Sequence, residues 1–361
     1  MPTRPGFSSN YWLLYAGRPA TSTGRTETVT ERSDTATALM GRVPGSIVAG
    51  AVLVRRRRGP GFSRRRTLMP HVPARAANGD VELAYERYNS RRGEPLLLIM
   101  GFSVQRHFWP AGLCDELERN GFDVLRFDNR DCGQSTHLDW LPVPPLGLLL
   151  GAPKLVAPYR LSDMAADTVA VLDAAGWERA TVMGVSMGGM IAQTMAIRYP
   201  HRVKSLVSIS STPAPHIGQP TLRARRVLTL RPGRTAEEVA DRLVWQSRII
   251  GSPRYPIDEP WLRDYAHSAF ARGHNPDGGR RQLGAVLASG SRLRALRSVE
   301  SPTLVVHGAD DPLIRPVGGR ATARAVRNAR LVVHRGMGHD LPAALWPEIA
   351  RDVAALADRA G

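Results

Sequence analysis

Residues 180–200 read ATVMGVSMGGMIAQTMAIRYP, and the reading of their middle, Gly184-Val185-Ser186-Met187-Gly188, decides the fold. The run before Ser186 is apolar and strand-like. The run after it is rich in helix formers and stops at Pro200. A serine between glycines at G-x-S-x-G spacing, with a strand before and a helix after, marks a very tight turn. Any side chain at 184 or 188 would collide with neighbouring backbone. The turn strains Ser186 and pushes its hydroxyl out at the carboxyl end of the strand. There it meets the free N–H groups and the positive dipole end of the following helix.

A serine hydroxyl is a weak nucleophile until a base takes its proton and a third group orients that base. Two later strand ends supply candidates. LVVHGADDPLI (304–314) puts Asp310 and Asp311 just after a strand, and LVVHRGMGHDLP (331–342) puts His339 in the loop after the last strand. An oxyanion needs two donors. The N–H of Met187, next to the serine, is one candidate. The N–H of Phe102, in the turn of IMGFS (99–103), is the other.

The rest of the chain fits around this turn. VELAYERYN (81–89) alternates like a strand after a turn at Asn78-Gly79-Asp80, and PLLLIMG (95–101) reads as a buried parallel strand. FWPAGLCDELERNG (108–121) is helical, FDVLRFD (122–128) a strand, and 140–159 a Pro/Leu-rich connector. Ser162 is placed to cap a helix over 163–176. Strands over 180–185 and 203–210 flank the helix that follows Ser186. Such alternation predicts a mostly parallel sheet with crossover helices. It stops at about 214–298, an Arg-rich helical stretch, where Thr235 and Glu238 have capping-box spacing. It resumes with a strand at 302–308, a helix at 317–329, a strand at 330–335 and a last helix at 341–360. The reading is one domain over 76–361 carrying a helical lid.

Composition narrows the rest. Of 361 residues, 43% are hydrophobic, enough for a sizeable core. Two cysteines exclude a disulfide-rich secreted scaffold and fit a cytoplasmic protein. No apolar run approaches the ~20 residues of a membrane-spanning helix. Residues 1–75 hold thirteen arginines against three acids, +10 of a total net charge of +17, without periodicity. They read as a disordered basic arm. An inert or extraneous extension, with translation starting at Met69, is favoured over a transit peptide and over nucleic-acid or anionic-lipid binding. Homo-oligomerisation stays open. No cluster has metal-ligand spacing and no G-x-G-x-x-G opens the first strand–helix turn, so no cofactor is expected.

Several residues carry quieter readings. His107 reads as a pocket or surface residue, His307 and His334 as structural, and Cys132 as a passive loop residue. Asp128 reads as a carboxylate that organises its loop and faces Arg130. Trp245, Trp261, Tyr255 and Tyr265 line a pocket or, preferably, form the core of the insertion.

Taken together, MGFSVQRHFWP (100–110), RFDNRDCGQST (126–136), YRLSDMAADTVAVLDAAG (159–176), GVSMGGMIAQTMA (184–196) and GMGHDLP (336–342) resemble the α/β-hydrolase superfamily over 77–361. Within it, the chain is similar to the bacterial esterases of the aclacinomycin methylesterase type. The resemblance implies a triad Ser186–Asp311–His339. The family spacing, three residues on from Gly308, selects Asp311 over Asp310. Two departures stand out: Met100-Gly101 where many relatives carry His-Gly, and Arg130-Asp131 where many carry Arg-Gly. The latter is expected to add a charge near the mouth of the site. The implied activity is cofactor-independent hydrolysis of a small carboxylic ester or lactone through an acyl-enzyme. A cofactor-free haloperoxidase or perhydrolase, a C–C hydrolase, an amidase and a non-catalytic ligand receptor remain as alternatives.

Overall fold

In a computed structural model, which describes residues 73–89, 93–229 and 231–360, eight strands form one sheet in the order β1-β2-β4-β3-β5-β6-β7-β8. β1 (Ala74–Asn78), β2 (Val81–Arg87) and β4 (Phe122–Phe127) pair antiparallel in turn, and every other pairing is parallel. The short lead before Gly79 is thus itself a strand, beginning two residues ahead of position 76. Gly79, at φ 59°, closes its hairpin with β2. Residues 1–72 of the basic arm, Met69 among them, lie outside the described residues, whereas Ala74 and Arg75, its last two, belong to β1.

The parallel strands are β3 (Glu94–Ile99), β5 (Ala180–Val185), β6 (Val203–Ile209), β7 (Thr303–Gly308) and β8 (Arg330–His334). The inner strands β3, β5 and β7 are largely apolar and buried because helices cover both faces, whereas β8, at the sheet edge, is only partly buried. In β3, Leu97 and Ile99 enter one core cluster and Leu96 and Leu98 the other, the two-residue alternation of a pleated strand. α1 (Ala111–Arg119) packs in the second cluster. The connector over 140–159 holds two short helices, α2 (Leu146–Gly151) and α3 (Pro153–Val156). α4 (Leu161–Ala174) and α5 (Met187–Arg198) cover the first face. Between β6 and β7 come α6 (Leu222–Thr229), α7 (Ala236–Ile250), α8 (Glu259–Gly273) and α9 (Gly278–Ala288), the helical insertion expected there. α10 (Val317–Ala325) follows β7. α11 (Trp346–Ala357) closes the chain on the same face as α1. Among the described residues no helix is long and apolar enough to cross a membrane.

One cap differs from expectation. Ser162 lies inside α4. Arg160 is the N-cap, and its N–H donates to the Asp163 carboxylate at 2.7 Å. The acid three residues on does the capping from inside the helix, so no capping serine is needed. Thr235 caps α7 as expected, accepting the Glu238 N–H at 3.2 Å.

Candidate active site

β5 runs into α5 with a single residue between them, Ser186, at φ 57° and ψ −120°. A Cβ on Gly184 would stand 2.1 Å from the Gly188 carbonyl oxygen, and one on Gly188 2.1 Å from that of Ile99. Both glycines are therefore obligatory for the close approach of strand, turn and helix. Two hydrogen bonds hold the strained residue. Its N–H donates to the Ile209 carbonyl at 2.9 Å, and its carbonyl accepts from the Ser211 hydroxyl at 2.8 Å.

The loops after β7 and β8 bring two more side chains to this turn. His339 Nε2 lies 3.0 Å from Ser186 Oγ, and His339 Nδ1 lies 2.7 Å from Asp311 Oδ2. An ionised Asp311 only accepts, so Nδ1 carries the ring proton and Nε2 faces the serine hydroxyl as an acceptor. Asp311 is buried, and its Oδ1 accepts the N–H groups of Leu313 and Ile314, each at 2.9 Å. These bonds fix the carboxylate before His339 meets it. Asp310 points elsewhere: its Oδ2 accepts the Gly336 N–H at 2.8 Å. The structure therefore joins Ser186, His339 and Asp311 and leaves Asp310 out.

The turn after β3 abuts the serine. A Cβ on Gly101 would lie 3.9 Å from Ser186 Oγ. Among the described residues, the N–H groups of Phe102 and Met187 donate to no protein acceptor. Unengaged N–H groups beside a serine hydroxyl are the donors that an oxyanion developing there would require.

His307 is buried in β7, 3.5 Å from Asp311 Oδ2, and donates through Nε2 to the Ile314 carbonyl at 2.7 Å. Burial pushes its pKa below the usual histidine value, so it stays neutral beside the carboxylate. Burial also pushes the thiol of Cys114 up to about 12 and raises that of Cys132 well above its ordinary value. Neither is a thiolate at neutral pH, consistent with the passive role expected of Cys132.

Three charged residues near the site have partners that sequence proximity did not suggest. Asp128 faces Arg106, not Arg130: it pairs with the Arg106 guanidinium and accepts the Arg106 N–H at 2.6 Å. Arg130 reaches α4 instead, with Nε 2.6 Å and Nη2 2.7 Å from the two Asp167 carboxylate oxygens. Asp131 places no charge at the mouth. It is buried, held by Arg281, Tyr159 and the Leu138 N–H. Its φ of 64° is a conformation glycine adopts freely and aspartate tolerates.

The insertion also supplies contacts that sequence reasoning missed. The Ile250 carbonyl, at the end of α7, accepts the His339 N–H at 2.7 Å. Ser252 accepts the Gly338 N–H at 2.8 Å and donates to Asp340. Tyr265 in α8 is buried, as a core reading implies, yet its hydroxyl accepts the Gln105 N–H at 2.9 Å in the loop after β3. Its ring packs 4.6 Å from that of His107 and 4.7 Å from that of Phe108, centroid to centroid. No spacing signal exists for contacts across 86 to 160 residues.

A protein-family model described as the alpha/beta hydrolase fold matches residues 94–342. The chain belongs to the α/β-hydrolase fold family. Among curated members, the rhodomycin D methylesterase of Streptomyces peucetius is 28% identical over 307 residues, covering 77% of this chain and 95% of that one. It gives a counterpart to the esterase-type resemblance carried by the motifs. The 3-oxoadipate enol-lactonase 2 of Acinetobacter baylyi is 28% identical over 256 residues, covering 70% of this chain and 85% of its own. Among solved α/β-hydrolase structures, the enol-lactonase from Burkholderia xenovorans LB400 aligns with a TM-score of 0.56 at 22% identity, over 79% of this chain and 98% of that one. The meta-cleavage product hydrolase from Pseudomonas fluorescens IP01 aligns at 0.61 and 17% identity, over 80% and 99%. These two support the fold alone.

Proposed function

We propose that the protein is a cofactor-independent serine hydrolase acting on a small carboxylic ester or lactone. The observation that carries this reading is the continuous hydrogen-bonded line Ser186–His339–Asp311, 3.0 and 2.7 Å in its two links, at the mouth of the sheet. The names of its relatives, a methylesterase and an enol-lactonase, point to the same bond class.

Ser186 Oγ attacks the ester carbonyl carbon as His339 Nε2 takes the hydroxyl proton. Asp311 stabilises the imidazolium through Nδ1–H. The carbonyl oxygen gains negative charge and accepts from the N–H groups of Phe102 and Met187. When the tetrahedral intermediate collapses, the C–O bond of the leaving alcohol breaks and the alcohol takes the proton from His339. Water then attacks the acyl-enzyme, with His339 as base, releasing the acid and restoring Ser186. The helical insertion covers the site and shapes the substrate pocket.

The test is a panel of methyl esters and lactones, together with labelling by a fluorophosphonate probe. Wild type should turn over at least one member of the panel and take the label; Ser186→Ala should do neither while staying folded. Labelling that persists in Ser186→Ala removes the assignment. The reading places the activity within residues 76–361, so a chain begun at Met69 should keep its kcat/KM.

A further inference from the structure

Gln282 lies in α9 with no exposed surface, and both ends of its side-chain amide bond outside its own helix. Its Oε1 accepts the Ser103 N–H at 2.8 Å, and its Nε2 donates to the Arg130 carbonyl at 2.8 Å. A donor on one side and an acceptor on the other allow only this orientation of the amide. One side chain of the insertion thus ties together the loops that leave β3 and β4.

Ser103 directly follows Phe102 in the turn beside Ser186, and it sits at φ 57°. A non-glycine residue there is strained and needs outside support. Fixing the Ser103 N–H fixes the Phe102–Ser103 peptide plane; the Phe102 N–H belongs to the preceding plane, joined to this one only through φ and ψ of Phe102, so the bond restricts how far that N–H can swing. α9 delivers this support from close range. A Cβ on Gly278 would stand 2.2 Å from the Asp131 carbonyl oxygen, and one on Gly279 3.2 Å from Ser103 Oγ.

We propose that Gln282 is a positioning residue for the oxyanion site. Through Ser103 it aims the Phe102 N–H at the carbonyl oxygen of the substrate that Ser186 attacks. The proposal rests on the hydrolase reading above. Gln282 touches no substrate. Its removal weakens stabilisation of charge that develops only in the transition state, so kcat falls while KM stays near its original value.

Three variants of the full chain test this, with kcat and KM measured on a p-nitrophenyl ester. Gln282→Met keeps the length of the side chain and removes both hydrogen bonds. Removal of one oxyanion donor outright costs about 10²–10³ in kcat, so misplacing one should cost ~10- to 100-fold, with KM within ~3-fold. Gln282→Glu keeps the acceptor for Ser103 but regains a donor toward Arg130 only when protonated. Its kcat relative to wild type should therefore rise as pH falls. Arg160→Met releases the other end of α9, where Arg160 Nη1 donates to the Ala288 carbonyl at 2.7 Å. It should lower Tm and leave kcat unchanged.

Unchanged kcat in Gln282→Met overturns the proposal. An equal loss in Arg160→Met also overturns it, because helix docking rather than the amide would then be responsible. Should Gln282→Met not fold, Gln282→Glu decides alone, and a ratio to wild type that is flat with pH counts against the role. Ser186→Ala separates the two levels. If it stays active, the hydrolase assignment falls. If it is inactive while Gln282→Met is fully active, only the positioning role falls.

Discussion

Asp131 and Arg281, 150 positions apart, form a buried two-point ion pair: Arg281 Nε lies 2.9 Å from Oδ2 and Nη2 2.7 Å from Oδ1. Both side chains are almost fully withdrawn from solvent. The pair anchors α9 to the loop after β4. Removing one partner leaves the other charged and desolvated. Arg281→Met is therefore expected to destabilise the fold by about 3–5 kcal/mol, as breaking a buried pair does. Asp131→Asn combined with Arg281→Met should recover part of that loss. Urea denaturation of the two singles and the double provides the cycle, and strict additivity would count against a buried charge as the cause.

Asp311 and Asp310 are neighbours with separate tasks. Asp311→Asn removes the acceptor that orients His339 and should lower kcat by on the order of 10⁴, by analogy with the serine-protease triad. Asp310→Asn weakens only the bond to the Gly336 N–H and should change kcat by no more than a few-fold. Steady-state kinetics of both variants checks the contrast. Equal losses would contradict the geometry.

Ser186 is held at positive φ by the elbow, and the strain persists whether or not the hydroxyl is present. Glycine adopts that conformation freely, whereas alanine does not. Ser186→Gly should therefore be more stable than Ser186→Ala by roughly 1 kcal/mol, with both inactive. Thermal unfolding of the two inactive variants measures the strain apart from the chemistry.

Acid should weaken the fold through His107. Burial, followed by the nearby charges of Arg272, Arg126 and Arg106, pushes its pKa down to about 3 against a weak opposing pull from Glu86. In the unfolded chain the ring titrates near ~6.5. Below that pH the unfolded state takes up a proton that the native state refuses. The stabilisation is thus complete above ~6.5 and is lost as pH falls, by up to ~1.4 kcal/mol per unit. His107→Phe should flatten this limb in chemical denaturation between pH 6.5 and 4, without abolishing it, because His307 shifts in the same direction. An unchanged slope in the variant would mean that His107 is already protonated in the native protein.

The sequence by itself determined the turn at Ser186, the parallel alternation around it, the place of the helical insertion and the order Ser186, Asp311, His339. These are local matters: glycine spacing where backbones touch, apolar runs buried on two faces, and loops at strand ends. Only the tertiary structure decided that Asp128 turns to Arg106 and that Asp131 is buried under Arg281 rather than exposed at the mouth. It alone showed that Ile250, Ser252, Tyr265 and Gln282 grip the loops on both sides of the site. These pairings join residues 22 to 179 positions apart. They depend on which helix face docks on which loop, and that is set by packing of the whole domain rather than by any local pattern in the chain.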